Sequence, residues 1–323
     1  MKILKIFICL FVGVWCMIAC SGDDDNDKKP SGNANLNRNS TSVCAEAGRL
    51  EFPRLSTSNS VVLVHKTNDR VDPDRVNYAV EWDINKKSQR WTCYQMTKSN
   101  SVSNTSRYYG NPQYPLDPDL PTKYYLDRPS ADYAVADYYR GSGFDHGHIC
   151  PSADRLYSYE ANYQTFYLTN MQPQYKKFNG SDNNYSGMSL WLAMENQLRE
   201  WIPRNNTDTL YVCKGGTIGD IYPNNASRKE TGVLARIQNK LIVPKYFFAA
   251  FLYKNDNGYR ALAFWFEHTN NDIPTSARLS DYVISIDELE EKTGIDFFCN
   301  LPDDIENQKE SNVALSAWGR MKY

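Results

Sequence analysis

Between Tyr78 and Thr97 apolar and polar residues alternate, and the alternation breaks at NKKSQ, residues 85–89. Successive side chains of an extended chain point to opposite faces, so this stretch predicts two strands joined by a turn, the second running through WTCYQMT. Ser99 to Pro121 is polar and carries prolines, which predicts a loop. The period then changes. Leu190, Trp191, Met194, Glu195, Leu198 and Trp201 recur at helical spacing, predicting a helix over Gly187–Trp201 that stops before Pro203. Short runs rich in β-branched and aromatic residues follow at Thr209–Cys213, Lys240–Val243, Tyr246–Tyr253 and Tyr259–Phe266 and predict four more strands. Neither a repeat nor a linker-like stretch interrupts residues 44–323, so one domain of mixed α and β structure is expected.

The amino-terminal region follows another pattern. MKILK is basic, Ile6 to Ala19 is apolar, and small Ala19 precedes Cys20, the layout of a secretory signal peptide over residues 1–19. The apolar run is shorter than the roughly 20 residues of a membrane-spanning helix. Met17-Ile18-Ala19-Cys20 resembles the lipobox of bacterial lipoproteins, and the SGDDDND that follows resembles the acidic export tag of some Gram-negative lipoproteins. That resemblance implies lipidation of Cys20 and an outer-membrane lipoprotein, surface-exposed or facing the periplasm, with the membrane as a partner through the anchor. From residue 20 to 43 the chain is Asp, Asn, Ser, Lys and Gly with almost nothing apolar to bury, and a flexible, acidic and polar tether is expected.

Bulk composition, 41% hydrophobic and 23% charged, is that of an ordinary globular protein, and 23 tyrosines favour strands and turns over long helices. The net charge of −2 conceals an asymmetry. Residues 155–260 carry 13 Lys and Arg against 8 Asp and Glu, whereas residues 281–310 carry 10 acids against 2 bases. A basic middle suits a polyanionic substrate, and plain solvated surface charge accounts for it equally well. Beyond Cys20 stand Cys44, Cys93, Cys150, Cys213 and Cys299. An odd number leaves at least one thiol unpaired, and none forms a CxxC pair, so neither a disulfide map nor a structural zinc follows.

FDHGHICPSADR, from Phe144 to Arg155, holds two of the four histidines. In an extended segment His146 and His148 project to the same side, with Asp145 near enough to orient an imidazole and Gly147 permitting close approach. The set suits catalysis or metal binding, and polar strand-end histidines in water remain the plain alternative. Downstream, TFYLTNMQPQYKKFNG brings Thr169, Asn170, Gln172 and Asn179 in a polar cluster ahead of the helix. Glu195 lies one helical turn beyond Trp191 on the same face, a carboxylate beside an aromatic that looks buried, although a helix glutamate is more often exposed.

The order D-x-G-H, then N-x-x-P-Q, a further Asn, and W-x-x-x-E on a helix resembles the DNA/RNA non-specific endonucleases of the ββα-metal type. The resemblance runs on through TLYVCKGG, LIVPKYFFAAFLY and VISIDELEEKTGIDFFCNLP and covers most of the chain from about Val76. It implies an α+β fold with a central antiparallel sheet flanked by helices and a ββα-metal (His-Me finger) motif. By the same resemblance His148 takes the place of the general base, Asn179 that of the protein ligand to one Mg²⁺, and Glu195 that of the carboxylate holding the metal's water shell. Arg107, in SRYYGNP, takes the place of a phosphate-contacting arginine, while His146 and Asn170 are candidate substrate contacts. The family usually has arginine where this chain has His146, so a fixed charge is replaced by a titratable one. The loop between Asn179 and Trp191 is longer than in the secreted bacterial nucleases. Cys150, without an evident base partner, is expected to pack.

These residue types suit phosphodiester hydrolysis. A neutral imidazole can activate water, a hard ion that keeps most of its waters suits one Asn and an outer Glu, and arginine can clamp a phosphate. Contacts to the backbone carry no base information, so DNA and RNA are both expected substrates. Mg²⁺ is the expected cofactor, with Mn²⁺ or another divalent cation as the alternative, and no obligate protein partner is evident. Two other readings stay open: a non-catalytic nucleic-acid-binding surface lipoprotein, and a phosphodiesterase for another phosphate diester.

Overall fold

The computed structural model describes residues 34–127, 138–222 and 229–322. The signal peptide, Cys20 and most of the expected tether lie outside the described residues. No helix among those described is long and apolar enough to cross a membrane.

In chain order the strands are β1 (Ser60–Lys66), β2 (Val76–Asp83), β3 (Ser88–Met96), β4 (Phe144–His148), β5 (Met171–Tyr175), β6 (Thr209–Gly216), β7 (Asp220–Ile221), β8 (Glu230–Thr231), β9 (Val233–Ile237), β10 (Leu241–Pro244), β11 (Tyr246–Asn255), β12 (Gly258–Glu267) and β13 (Val283–Ile284). The α-helices are α1 (Tyr159–Gln164), α2 (Lys176–Asn179), α3 (Leu190–Glu200), α4 (Ile286–Thr293) and α5 (Asp303–Glu310). A seven-stranded sheet in the order β1-β2-β3-β6-β11-β12-β13 is the frame, antiparallel at each pairing. With helices on both sides, this is the expected α+β architecture.

Local chemistry explains the joints. At NKKSQ the Oδ1 of Asp83 accepts from the backbone N–H of Asn85 at 3.0 Å and of Lys86 at 2.9 Å, an Asx turn that reverses the chain between β2 and β3. Asp256 and Asn257 form the two-residue turn between β11 and β12, and Gly258 supplies the positive φ of 103° that follows it. The predicted helix is α3, which begins only at Leu190 because Ser189 is still extended.

Both faces of the sheet are covered. Phe247, Ala249 and Phe251 of β11 pack on the side where α3 contributes Trp191, Met194 and Leu198. Phe248, Ala250 and Leu252 face the other way, toward Ile286 and Leu289 of α4. A central strand buried on both sides has no polar face to alternate with, which is why YFFAAFLY reads as an unbroken apolar run.

The expected tether needs a correction at its carboxy-terminal end. Asn35 donates its side-chain amide to the carbonyl of Leu301, the backbone N–H of Leu36 donates to Asp303 at 3.0 Å, and Asn37 donates to Glu306 at 2.9 Å. Asn39 is buried and donates to the carbonyls of Ala47 and Pro53. Amide side chains can dock a segment through hydrogen bonds alone, so a stretch lacking apolar residues still joins the fold.

The long loop after β3 is pinned to the sheet by charge. His65 of β1 is buried, with Nε2 at 3.1 Å from Asp117 and Nδ1 at 3.6 Å from Asp119, while Thr169 donates to Asp117 at 2.5 Å. Burial opposes charging the ring, but Asp117 and then Asp119 outweigh it and push the imidazole up to about 9. A folded pKa above the unfolded value of about 6.5 gives stability that is complete below pH 6.5 and lost as pH rises through about 9. Chemical denaturation across this range is expected to show a loss of up to about 3 kcal/mol, and His65→Gln should be weaker than the parent at pH 6 yet converge with it above pH 9. Parallel pH profiles for the two proteins would contradict this assignment.

Candidate active site

The chemistry-bearing strand is β4. Its only strand partner among the described residues is β5, with Phe144 opposite Tyr175 and His148 opposite Met171. Two further ties fix it. The Oδ2 of Asp145 accepts from the side-chain amide of Asn179 at 3.2 Å and from the hydroxyl of Ser181. The indole N–H of Trp191 donates to the carbonyl of His148 at 3.2 Å. Thus the strand is bound at one end to α2 and at the other to α3. Asp145 holds Asn179, where the sequence suggested that it would orient a histidine; adjacent strand positions face opposite ways, which separates it from His146.

Asn179 closes the one-turn α2, and the chain turns there through Gly180 at φ 87°. A Cβ at Gly180 would come within 2.6 Å of Leu192, so only glycine allows this turn against α3. With its N–H₂ held by Asp145, Asn179 presents a carbonyl oxygen that accepts no hydrogen bond among the described residues. A neutral oxygen fixed in this way, beside the Asp145 carboxylate, is a donor set suited to a hard divalent cation.

His148 is half-buried, and its Nε2 atom is out of contact with water and without a hydrogen-bond partner among the described residues. Its ring stands edge-on to Phe166 at 4.9 Å, and the exposed Arg107 guanidinium lies 4.8 Å over that same Phe166 ring. Burial lowers the His148 pKa well below the usual value, and Arg107, His146 and Lys214 lower it further, against a backbone hydrogen bond at His146. The ring is therefore neutral at pH 7 and able to accept a proton.

His146 projects to the same side of β4 but into a different setting. Its ring is stacked between Tyr114 at 3.6 Å and Tyr139 at 4.0 Å. A groove beside it is lined by Tyr139, Arg140, Asp145, His146 and Lys176. The two cations and the stacked rings offer a polyanion both charge and aromatic surface.

Glu195 is only 8% exposed, so the common exposed-glutamate outcome does not hold. The Nη2 of Arg199 lies 3.4 Å from Oε2, and the Nζ of Lys214 lies 3.7 Å from Oε1. Arg199 also bonds Asp154 at 2.9 Å, whose other oxygen accepts from the Tyr94 hydroxyl at 3.1 Å. Burial raises the Glu195 pKa, and Lys214 and Arg199 work to keep it charged. Lys214 itself is fully buried, over the rings of Trp191 and Tyr94 at 5.1 and 5.4 Å.

Asn170 is not a substrate contact. It is fully buried; its side-chain oxygen accepts from the N–H of Cys150 at 2.8 Å, and its amide donates to the carbonyls of Cys150 and Thr165, each at 2.8 Å. An amide committed to the backbone on both its donor and acceptor sides shapes the turn after His148 and has nothing left to offer a ligand. Cys150 is buried, and burial pushes its thiol up to about 12, so it packs. All five described cysteines are free.

β4, which carries the neutral imidazole, and α2, which carries the oriented amide oxygen, both line the groove with its two cations, a setting suited to a metal-dependent endonuclease. The chain belongs to the DNA/RNA non-specific endonuclease family, whose model matches residues 58–304. A nuclease of Nostoc sp. is 30% identical over 242 residues, 73% of this chain and 76% of its own. Nuclease C1 of Cunninghamella echinulata is 27% identical over 229 residues, 71% of this chain and 82% of its own. The nuclease of Serratia marcescens is 24% identical over 244 residues, 74% and 79%. The crystal structure of an EndoG/EndoGI complex superposes with a TM-score of 0.56 at 17% identity, covering 80% of this chain and 92% of the other, a likeness of fold.

Asp145 orients the amide of Asn179 without being needed for the turn itself. Asp145→Ala is expected to raise the divalent-metal concentration for half-maximal cleavage about 10- to 100-fold, the usual worth of a group that orients a metal ligand. An unchanged metal requirement in cleavage assays would remove Asp145 from this role.

Proposed function

We propose that this chain is a Mg²⁺-dependent, sugar-non-specific endonuclease that hydrolyses phosphodiesters of DNA and RNA to products bearing a 5′-phosphate. The observation that carries the reading is the His148 ring itself, half-buried on β4, held neutral, and sharing the Phe166 ring with the exposed Arg107 guanidinium. His148 takes the proton from the attacking water as the oxygen–phosphorus bond forms. Arg107 compensates charge on the phosphate, held in place against Phe166. The carbonyl oxygen of Asn179 would hold the ion, and the Glu195 carboxylate, set between Lys214 and Arg199, would order its waters. When bound, Mg²⁺ supplies charge compensation and an acidic water for the departing 3′ oxygen. The groove at Arg140, His146 and Lys176 receives the neighbouring backbone, without reading base edges.

Plasmid and RNA cleavage by the purified chain should require Mg²⁺ or Mn²⁺ and stop with chelator. His148→Ala should cut the rate by about two or more orders of magnitude while leaving nucleic-acid binding intact. Binding without cleavage by the unmutated chain would instead favour a non-catalytic binding protein. Cleavage confined to small phosphate diesters would favour a phosphodiesterase of another class.

For location we propose a lipid anchor at Cys20 in the outer membrane, supported by the Met17-Ile18-Ala19-Cys20 order and the acidic stretch after it. Cys20→Ser should move the protein from the membrane to the soluble fraction on cell fractionation. Persistent membrane association of that variant would argue against lipidation.

A further inference from the structure

On the sheet face opposite α3, a second group of acids takes no part in the chemistry above. Asp287 and Glu290 stand about one turn apart on α4, Glu310 ends α5, and one carboxylate oxygen from each lies within 4.8 Å of the others. Oxygens that share one Ca²⁺ sit about 2.3–2.6 Å from it, so they fall within about 5 Å of each other. The three carboxylates already meet that limit.

A second observation concerns one of the same side chains. Glu310 is only 6% exposed, and its Oε1 is buried without a hydrogen-bond partner among the described residues. Native proteins rarely leave a buried acceptor bare, and a bare carboxylate is costlier than a neutral group. No Lys or Arg pairs with Asp287, Glu290, Glu306 or Glu310 among the described residues, and Lys292 pairs instead with Glu288 at 3.2 Å. Burial, then Glu290, Glu306, Asp287 and Asp296 together, push the Glu310 carboxyl up to about 10. Burial likewise pushes Glu290 up to about 8, although the N–H of Phe297 donates to it at 2.6 Å. Protonation would relieve the charge, yet it would leave the bare oxygen without a partner. A divalent cation answers both.

We propose that Asp287, Glu290 and Glu310 bind Ca²⁺ at a structural site that clamps α4 to α5, separate from the nuclease centre. The donor chemistry selects the ion. Oxygen-only ligands disfavour zinc, and a crowded, partly buried set of carboxylates suits the irregular, carboxylate-rich shell of Ca²⁺ better than the hydrated octahedron of Mg²⁺.

The test uses the purified chain carrying Asn179→Ala, which silences the proposed nuclease ion, stripped with chelator and titrated with Ca²⁺ by calorimetry and thermal unfolding. One saturable site and a rise in melting temperature reversed by EDTA are expected. Glu290→Gln and Glu310→Gln should each weaken Ca²⁺ binding by at least about tenfold and raise the metal-free melting temperature by relieving like-charge repulsion. In the chain with Asn179 intact, both substitutions should leave Mg²⁺-supported cleavage unchanged, which confirms that the variants fold. Absence of saturable Ca²⁺ binding to the parent, or unaltered affinity in both variants, would overturn the proposal.

Discussion

A five-residue strand paired along one edge with β5 has to be held still for anything else in this molecule to matter. The β4–β5 ribbon is two strands wide, a unit with marginal stability by itself. What fixes β4 is the pair of side-chain ties at its ends, from Asn179 to Asp145 and from Trp191 to the carbonyl of His148. Trp191 is rigid because it is buried between α3 and the sheet, in edge contact with Phe247 at 5.3 Å. The ring contacts of the core thereby reach the imidazole through one hydrogen bond.

Two histidines of one chain are driven in opposite directions by their neighbours. His65 faces two carboxylates and stays charged well above its ordinary range, while His148 has cations for neighbours and stays neutral. Burial pushes both rings toward the neutral form; two carboxylates overturn that push at His65, while Arg107 and the other nearby cations add to it at His148. The first histidine is used as a fixed cation for structure, the second as a proton acceptor. Glu195 is an intermediate case, buried enough to resist charging and flanked by two cations that counter this. Burying Lys214 beside it is costly, and its position over two aromatic rings offsets part of that cost.

Much of this was legible in the sequence because long periodic stretches dominate it. The β2–β3 pair, α3 and the strands from Thr209 onward follow their patterns, with boundaries moved by a few residues where turn chemistry intervened. The ordered motifs single out His148, Asn179 and Glu195, and the fold carries them on β4, α2 and α3, which the Asp145 and Trp191 hydrogen bonds tie together. Asn170 was misread because a sequence shows that an amide is present but not that it turns inward to the backbone of Cys150 and Thr165. Lys214 was invisible for a related reason: a lysine in a strand usually faces solvent, and only the packing of β6 under α3 puts it beside Glu195. The aromatic sandwich around His146 likewise depends on Tyr114 and Tyr139, which belong to separate loops and have no shared signature in the chain.

Residues 35–37 are sewn onto Leu301, Asp303 and Glu306, next to the helices that cover the back of the sheet. Mechanical load arriving from upstream would therefore be taken up at α4 and α5, a full layer of strands away from His148. The sheet stands between that pull and the face on which α3 packs.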